Sequence, residues 1–335
     1  MADKARNYTN KELEKMRRSF REIYSEAEEK IQKKIDDFYL SFEKKDKDMR
    51  RQLDNKKITK DEYRTWRENQ IFIGKKWKKL KSDIVSCLDD SDKDANEYIN
   101  EKLPEIYSEV YNTKAKDINS DVIGLFALLL MSTKDKNKLE KEKEIVEKNQ
   151  VKYLNTRDIK IKTLKSLRVP YGKVGPKNTI WNQRRINTQI LQGMLKGESM
   201  DQIAQRILKL CHGNEAAAMR TARTIVNSVE NKARHEAAVE AEKMGCIEVH
   251  MWQSAEDDRV RDWHVEADSD YSSLDQAIPL HEPFIVMGEK MMYPGDMSGS
   301  PENWYNCRCQ EETEVVGFKS ILPKDKQGMI RVKGG

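Results

Sequence analysis

Two cysteines and a histidine offer the plainest chemistry in this sequence. Cys307 and Cys309 stand two residues apart, and His264 and His281 lie upstream within the same stretch, Trp252 to Cys309. Side chains two apart on a strand share a face, so both thiols could reach one metal ion, with either histidine as a third ligand. His264, Cys307 and Cys309 are the set best placed, and a structural zinc ion is the candidate cofactor. Cys-x-Cys is a weaker signature than Cys-x-x-Cys, whose turn suits tetrahedral zinc, and the sequence offers no evident fourth ligand. The alternative is a pair of buried free thiols, since a disulfide across so short a span would be strained.

Asp257, Asp258, Arg259, Arg261, Asp262 and His264 crowd into the same stretch. An acid beside a histidine can move protons. Yet the chain has no Gly-x-Ser-x-Gly, no His-Glu-x-x-His and no phosphate-cradling glycine loop. Interlocking salt bridges that pin a loop are the expected use of the cluster, and no catalytic residue is assigned. Far upstream, Lys75, Lys76, Lys78, Lys79 and Lys81 surround Trp77. Such a face can follow a phosphate backbone with an aromatic ring alongside. A solvated lysine face with Trp77 in the helix seam is the plainer expectation.

These residues need a frame, and most of the chain reads as helix. Leu13, Met16, Phe20, Ile23, Ala27, Ile31, Ile35, Phe38 and Phe42 recur at steps of three and four. That is one apolar stripe on a long amphipathic helix from Thr9 to about Lys45, capped by Thr9 or Asn10. Thr59 with Glu62 predicts a capping box for a second helix through Trp66 and Trp77 to Leu80. A third segment, Asp92 to Asn112, would be kinked or divided at Pro104. The apolar run Val122 to Met131 is about half the roughly 20 residues that span a bilayer, so a core helix or a contact with another protein is expected. Lys134 to Lys148 alternates Lys and Glu as an exposed helix would.

Residues 151–177 form a basic, Pro- and Gly-broken linker, with a short strand expected at Ile159 to Leu164. Helical period resumes at Asn178. Ser199 with Gln202 predicts a capping box, and Asn214 is expected to cap the last long helix, which stops at Gly245. Ion pairs are the expected role of Arg220, Arg223 and Arg234 on that helix. Beyond it, Ile247, Val249 and Met251 alternate with polar neighbours as a strand ending at Trp252. Further short strands are expected at Pro279-Leu280, Phe284 to Met287 and Cys307 to Thr313, with turns at Gly288 and Pro294-Gly295. The expected class is α+β: long amphipathic N-terminal helices, a helical lead-in and a small C-terminal α+β domain.

Composition agrees with an elongated helical protein. Charged residues make up 36% of the 335 and hydrophobic ones 37%, and mean hydropathy is −0.87. Long solvated helices with narrow apolar seams meet that balance better than one thick globule. A net charge of +5 beside 62 basic and 57 acidic side chains excludes bulk electrostatics as an argument for a nucleic-acid or membrane partner. Five cysteines, three of them isolated at Cys87, Cys211 and Cys246, exclude a disulfide scaffold and favour a reducing compartment. The first residues hold no apolar secretory segment.

Trp252, Asp258, Arg259, Arg261 and His264, then Pro283-Phe284, then Pro294-Gly295-Asp296, then Asn306-Cys307-Arg308-Cys309 occur in an order that resembles the phage head morphogenesis, or Mu F-like, domain. The resemblance covers about Asn178 to Val316. One branch of that family places a histidine three positions before Cys-Arg-Cys, where this chain has Trp304. The resemblance implies a non-enzymatic minor head protein of a tailed double-stranded DNA phage, made in the bacterial cytoplasm and carried in the virion head. It implies a place at the portal vertex or inner capsid surface, with portal, major capsid or scaffolding protein as partner, viral DNA as a further candidate, and no membrane. Residues 1–150 would dock on other head subunits, 151–177 would link, 178–318 would be the head morphogenesis domain and 319–335 a tail. The alternative is a DNA-binding ejection or packaging protein using the Lys75 to Lys81 face. A metal-dependent enzyme, or a toxin borrowing a head domain, is the remaining reading; such toxins carry a catalytic domain beyond the head domain.

Overall fold

A computed structural model describes residues 3–72, 75–131, 150–159, 179–196, 198 and 200–318. The expected Lys134 to Lys148 helix, most of the basic linker with its strand, Ser199 of the expected capping box, and the 319–335 tail lie outside the described residues. The chain is α+β and mostly helical. Helices α1 (Lys4–Asp54), α2 (Lys60–Phe72), α3 (Lys75–Met131), α4 (Thr179–Leu195) and α5 (Met200–Lys243) precede all the strands. Then follow β1 (Cys246–Gln253), α6 (Asp262–Tyr271), β2 (Ile278–Pro279), β3 (Phe284–Val286), β4 (Glu289–Met291), α7 (Pro301–Trp304) and β5 (Gln310–Phe318).

Several helix ends fall away from their expected places. Asp3 caps α1, its Oδ1 accepting from the backbone of Ala5 (3.0 Å) and Arg6 (3.1 Å). Thr9 is therefore inside the helix, buried, with its hydroxyl 2.8 Å from Glu230. The Thr59–Glu62 capping box forms as expected, with bonds of 2.7 and 3.1 Å. Pro104 lies within one continuous α3 and does not divide it. Asn214 is not a cap either: α5 runs straight through it, and its buried side chain bonds Asp92 at 3.2 Å. Gly245, at φ +103°, does end α5, in a conformation that glycine adopts without a Cβ penalty.

The residues fall into two compact units, each discontinuous in sequence. One comprises Lys15–Ile99 and Val169–Thr221. Its core joins Ile31 and Ile35 of α1, Trp77, Ile84 and Leu88 of α3, Ile186 and Ile190 of α4, and Ile207 and Cys211 of α5. Beside this core Asp92 accepts from Tyr24 (2.6 Å), Asn182 (3.1 Å) and Asn214 (3.2 Å). Burial pushes the Asp92 carboxyl up to about 6, against the pull of these donors.

The other unit comprises Met1–Glu14, Asn100–Arg168 and Ala222–Gly335. Its antiparallel sheet runs β2-β1-β5, with Trp252 opposite Glu311 and His250 opposite Thr313. β3 and β4 form a hairpin whose two-residue turn, Met287 (φ 51°) and Gly288 (φ 76°), has the left-handed pair that right-twisted strands favour. Pro294 and Gly295 (φ 80°) make the next turn, closed by the Asp296 amide on the Tyr293 carbonyl at 3.1 Å. On β1 the inward side is not the apolar Ile247 and Val249. Glu248 and His250 are the buried ones, at 1% and 0% exposure, followed by Trp252. His250 meets Glu311 of β5 there (2.8 Å), whereas neither oxygen of Glu248 has a hydrogen-bond partner and burial pushes its carboxyl up to about 8.

Candidate functional site

His264 enters from the first turn of α6, while the turn after α7 delivers Cys307 and Cys309. His264 Nδ1 stands 3.4 Å from Cys309 Sγ and 3.8 Å from Cys307 Sγ, and all three residues are buried. Trp252 packs edge-on against the imidazole at 5.3 Å, and Phe284, Val286 and Met291 close the surrounding cluster. His281 is exposed, so His264 is the histidine that meets the thiols. The cysteines precede the strand they were expected to open: β5 begins at Gln310. Asn306 turns the chain at φ 57°, and the Cys309 carbonyl is taken by Asn227 (3.3 Å) and Asn231 (3.0 Å) of α5 instead of a strand neighbour.

A hydrogen bond from Cys309 holds the Cys307 thiol well below its ordinary range despite burial, with His264 adding to the effect. The same bond and burial push Cys309 upward. Two such sulfurs beside an imidazole are a donor set that could hold a metal ion. Sulfur about 2.3 Å and nitrogen about 2.0 Å from zinc, at the tetrahedral angle, stand about 3.5 Å apart, which the two S···N distances straddle. Among the described residues the group has three donors, one short of a closed zinc site.

A ladder of polar residues on α5 positions this segment. Thr224 accepts from the Asn306 amide (3.1 Å), Ser228 donates to the Gly295 carbonyl, and Asn231 donates to the Pro294 carbonyl (2.8 Å) and accepts from the Glu311 amide (3.0 Å). The first turn of α1 adds Arg6, which bonds Asn227 (3.0 Å), Glu230 (3.0 Å) and the Arg308 carbonyl (3.2 Å). Arg234 pairs with Asp3 and with the buried Glu230, one of the ion pairs expected for that helix. The apolar stripe of α5 gives no sign of the work done by Thr224, Asn227, Ser228 and Asn231 between its members. Their spacing of three, one and three places them on a common helix face, a signal that was available.

Asp257 grips Arg308 with both oxygens and also takes the Arg259 amide (3.0 Å). The Arg308 fork holds Asp257 far below the ordinary carboxylate range. Arg261 donates to the Tyr305 carbonyl. Asp258 and Arg259 are exposed, Pro283 is half-buried, and Phe284, Pro294, Gly295 and Asp296 are buried. Asp296 accepts from the Met292 (3.1 Å) and Ser298 (2.9 Å) amides, fixing its own turn. Of the upstream lysines, Lys78 and Lys79 are exposed and Lys81 reaches Asn187 at 3.1 Å, while the side chains of Lys75 and Lys76 lie outside the described residues. Trp77 is in the core against Phe38, at 5.2 Å between ring centres, so it offers no face to a base.

A second group was missed. Glu311 Oε1 lies 2.8 Å from Nδ1 of both His235 and His250, and the three residues are buried. Burial opposes charge on both His235 and Glu311, but mutual attraction wins, raising the histidine and lowering the carboxyl. Glu311 continues the alternation Cys307, Cys309, Glu311, which is the signal that could have found it.

Residues 184–312 match the family model for phage Mu protein F like protein. The minor head protein GP7 of Bacillus phage SPP1 is 32% identical over 120 residues, 36% of this chain and 37% of GP7. An NAD(+)-arginine ADP-ribosyltransferase, EFV, of Enterococcus faecalis is 26% identical over 144 residues, 43% of this chain and 28% of that protein. The chain thus spans well under two thirds of either relative. No solved structure matches it. The segment from within α4 to the start of β5, which holds His264, Cys307 and Cys309, is thus phage Mu protein F-like, and the chain is homologous over 120 residues to part of a phage minor head protein.

Proposed function

We propose that the protein is a minor head protein of a tailed double-stranded DNA phage, acting in head morphogenesis without catalysis of its own. The observation that carries this is the shared domain: the match to GP7 lies with a protein named for the phage head. The construction of the domain supports a structural role. His264, Cys307 and Cys309 are buried, and Asp257 is taken up by its paired bonds to Arg308. In this reading the Cys-His group is a structural centre, with zinc as the ion its donors suit.

The long helices of residues 1–150 would dock on other head subunits, with the portal protein as first partner and major capsid or scaffolding protein as further ones. Residues 178–318 would be the folded head domain. DNA binding through the lysine face is the weaker reading, because Trp77 is withdrawn from it. Co-expression of the full chain with the portal protein of its own phage provides the test. A stable complex on affinity purification and gel filtration is expected. Clean separation of the two proteins at physiological salt would remove the portal assignment.

A further inference from the structure

His235 on α5, His250 on β1 and Glu311 on β5 make a closed group of metal-ligating atoms, all within 4.8 Å of one another. We propose that these three residues bind a divalent first-row transition cation through two imidazole nitrogens and the Glu311 carboxylate, at a site separate from the thiols.

The hydrogen-bond directions support this. His250 Nε2 lies 2.9 Å from the Glu282 carbonyl oxygen, which can only accept, so Nε2 carries the ring proton. The lone pair of His250 Nδ1 then faces Glu311 Oε1 at 2.8 Å, and His235 Nδ1 reaches the same oxygen at 2.8 Å. Atoms with facing lone pairs at that distance need a proton or a cation between them. A carbonyl anchoring the far nitrogen is also how metal-bound histidines are held in one tautomer.

The carboxylate points the same way. Glu311 Oε2 is buried and has no hydrogen-bond partner, a costly state for half of an ionised group. A cation engaging both oxygens removes that cost and brings the donor count to four from three side chains. Ligands about 2.1 Å from a cation and at right angles stand about 3 Å apart, close to the N···O separations here. The wider S···N separations at Cys307 and Cys309 suit a tetrahedral, sulfur-bound ion instead. Nitrogen and oxygen donors fit zinc, iron(II), manganese(II) or cobalt(II), and the cysteine pair fits zinc, so the two groups select by different chemistry.

Cobalt(II) titration of the full chain separates them. In Cys307→Ser/Cys309→Ser protein, one equivalent is expected to bind still, without thiolate-to-cobalt charge-transfer absorption. Adding Glu311→Gln should weaken that binding at least tenfold, with circular dichroism checking that the fold persists. Absence of cobalt from the double-serine protein, or binding indifferent to Glu311→Gln, would overturn the proposal. Because buried substitutions can unfold a domain, the wild-type protein gives a second reading. X-ray absorption of its cobalt-loaded form should show a shell of nitrogen and oxygen donors alongside any sulfur shell. A sulfur-dominated shell with one ion per chain would show the His-Glu group to be a proton-bridged network only.

Discussion

Asp92 shows how one buried carboxyl can shape the response of the protein to pH. Tyr24 from α1, Asn182 from α4 and Asn214 from α5 all donate to it, with Asp89 and Arg185 as the charges that face it. Burial outweighs these bonds and lifts its pKa from 3.8 to about 6. The folded state therefore holds the proton more tightly than the unfolded one. Stability from this group is full below about pH 4 and is lost as pH rises to about 6, by roughly 3 kcal/mol. Urea unfolding of wild-type and Asp92→Asn protein at several pH values isolates the effect. The difference between them should grow across that interval, and a constant difference would show that Asp92 titrates normally. Asp257 has the opposite sign: Arg308 depresses it, so its contribution is present at neutral pH and fades as the solution becomes strongly acidic.

Among the elements, α5 does the most to place the candidate site. Its apolar side was legible, since Ile225, Val226 and Val229 recur with helical period and are buried. Its polar side carries the Cys-Arg-Cys segment by hydrogen bonds to backbone, and those partners lie some 60 to 80 residues away in sequence. No local pattern encodes such a pairing. Asn231 is its most connected member, serving Pro294, Cys309 and Glu311. Asn231→Ala should cost on the order of 3 kcal/mol in thermal or urea unfolding, because it strands buried backbone groups. It should also loosen the Cys307–Cys309 segment, seen as faster thiol labelling in the native state. A change below about 0.5 kcal/mol would mean that water replaces the amide and that the ladder is not what holds the segment.

For the molecule as a whole, two relatives pull in different directions, a phage head protein and an ADP-ribosyltransferase, and each shares only part of its length with this chain. The head assignment predicts no transfer of ADP-ribose from NAD(+) to arginine by the purified full chain. Measurable arginine modification above a no-protein control would reopen the enzyme reading. No described helix is long and apolar enough to cross a membrane.

The sequence alone determined the helix-rich class, the Thr59 capping box, the stop at Gly245 and the order of motifs that marks the Mu F-like region. Each depends on residues close together in the chain, where propensity and period act directly. It also named His264, Cys307 and Cys309 together, because two of the three are neighbours. Only the tertiary structure decided that His264 and not His281 meets the thiols, that Asn214 and Thr9 are buried partners and not caps, and that β1 turns Glu248 and His250 inward. Those outcomes depend on what lies across the interface. A buried polar side chain is stabilised where a distant residue offsets its desolvation, and Glu311, reaching two histidines at once, is such a residue for His250.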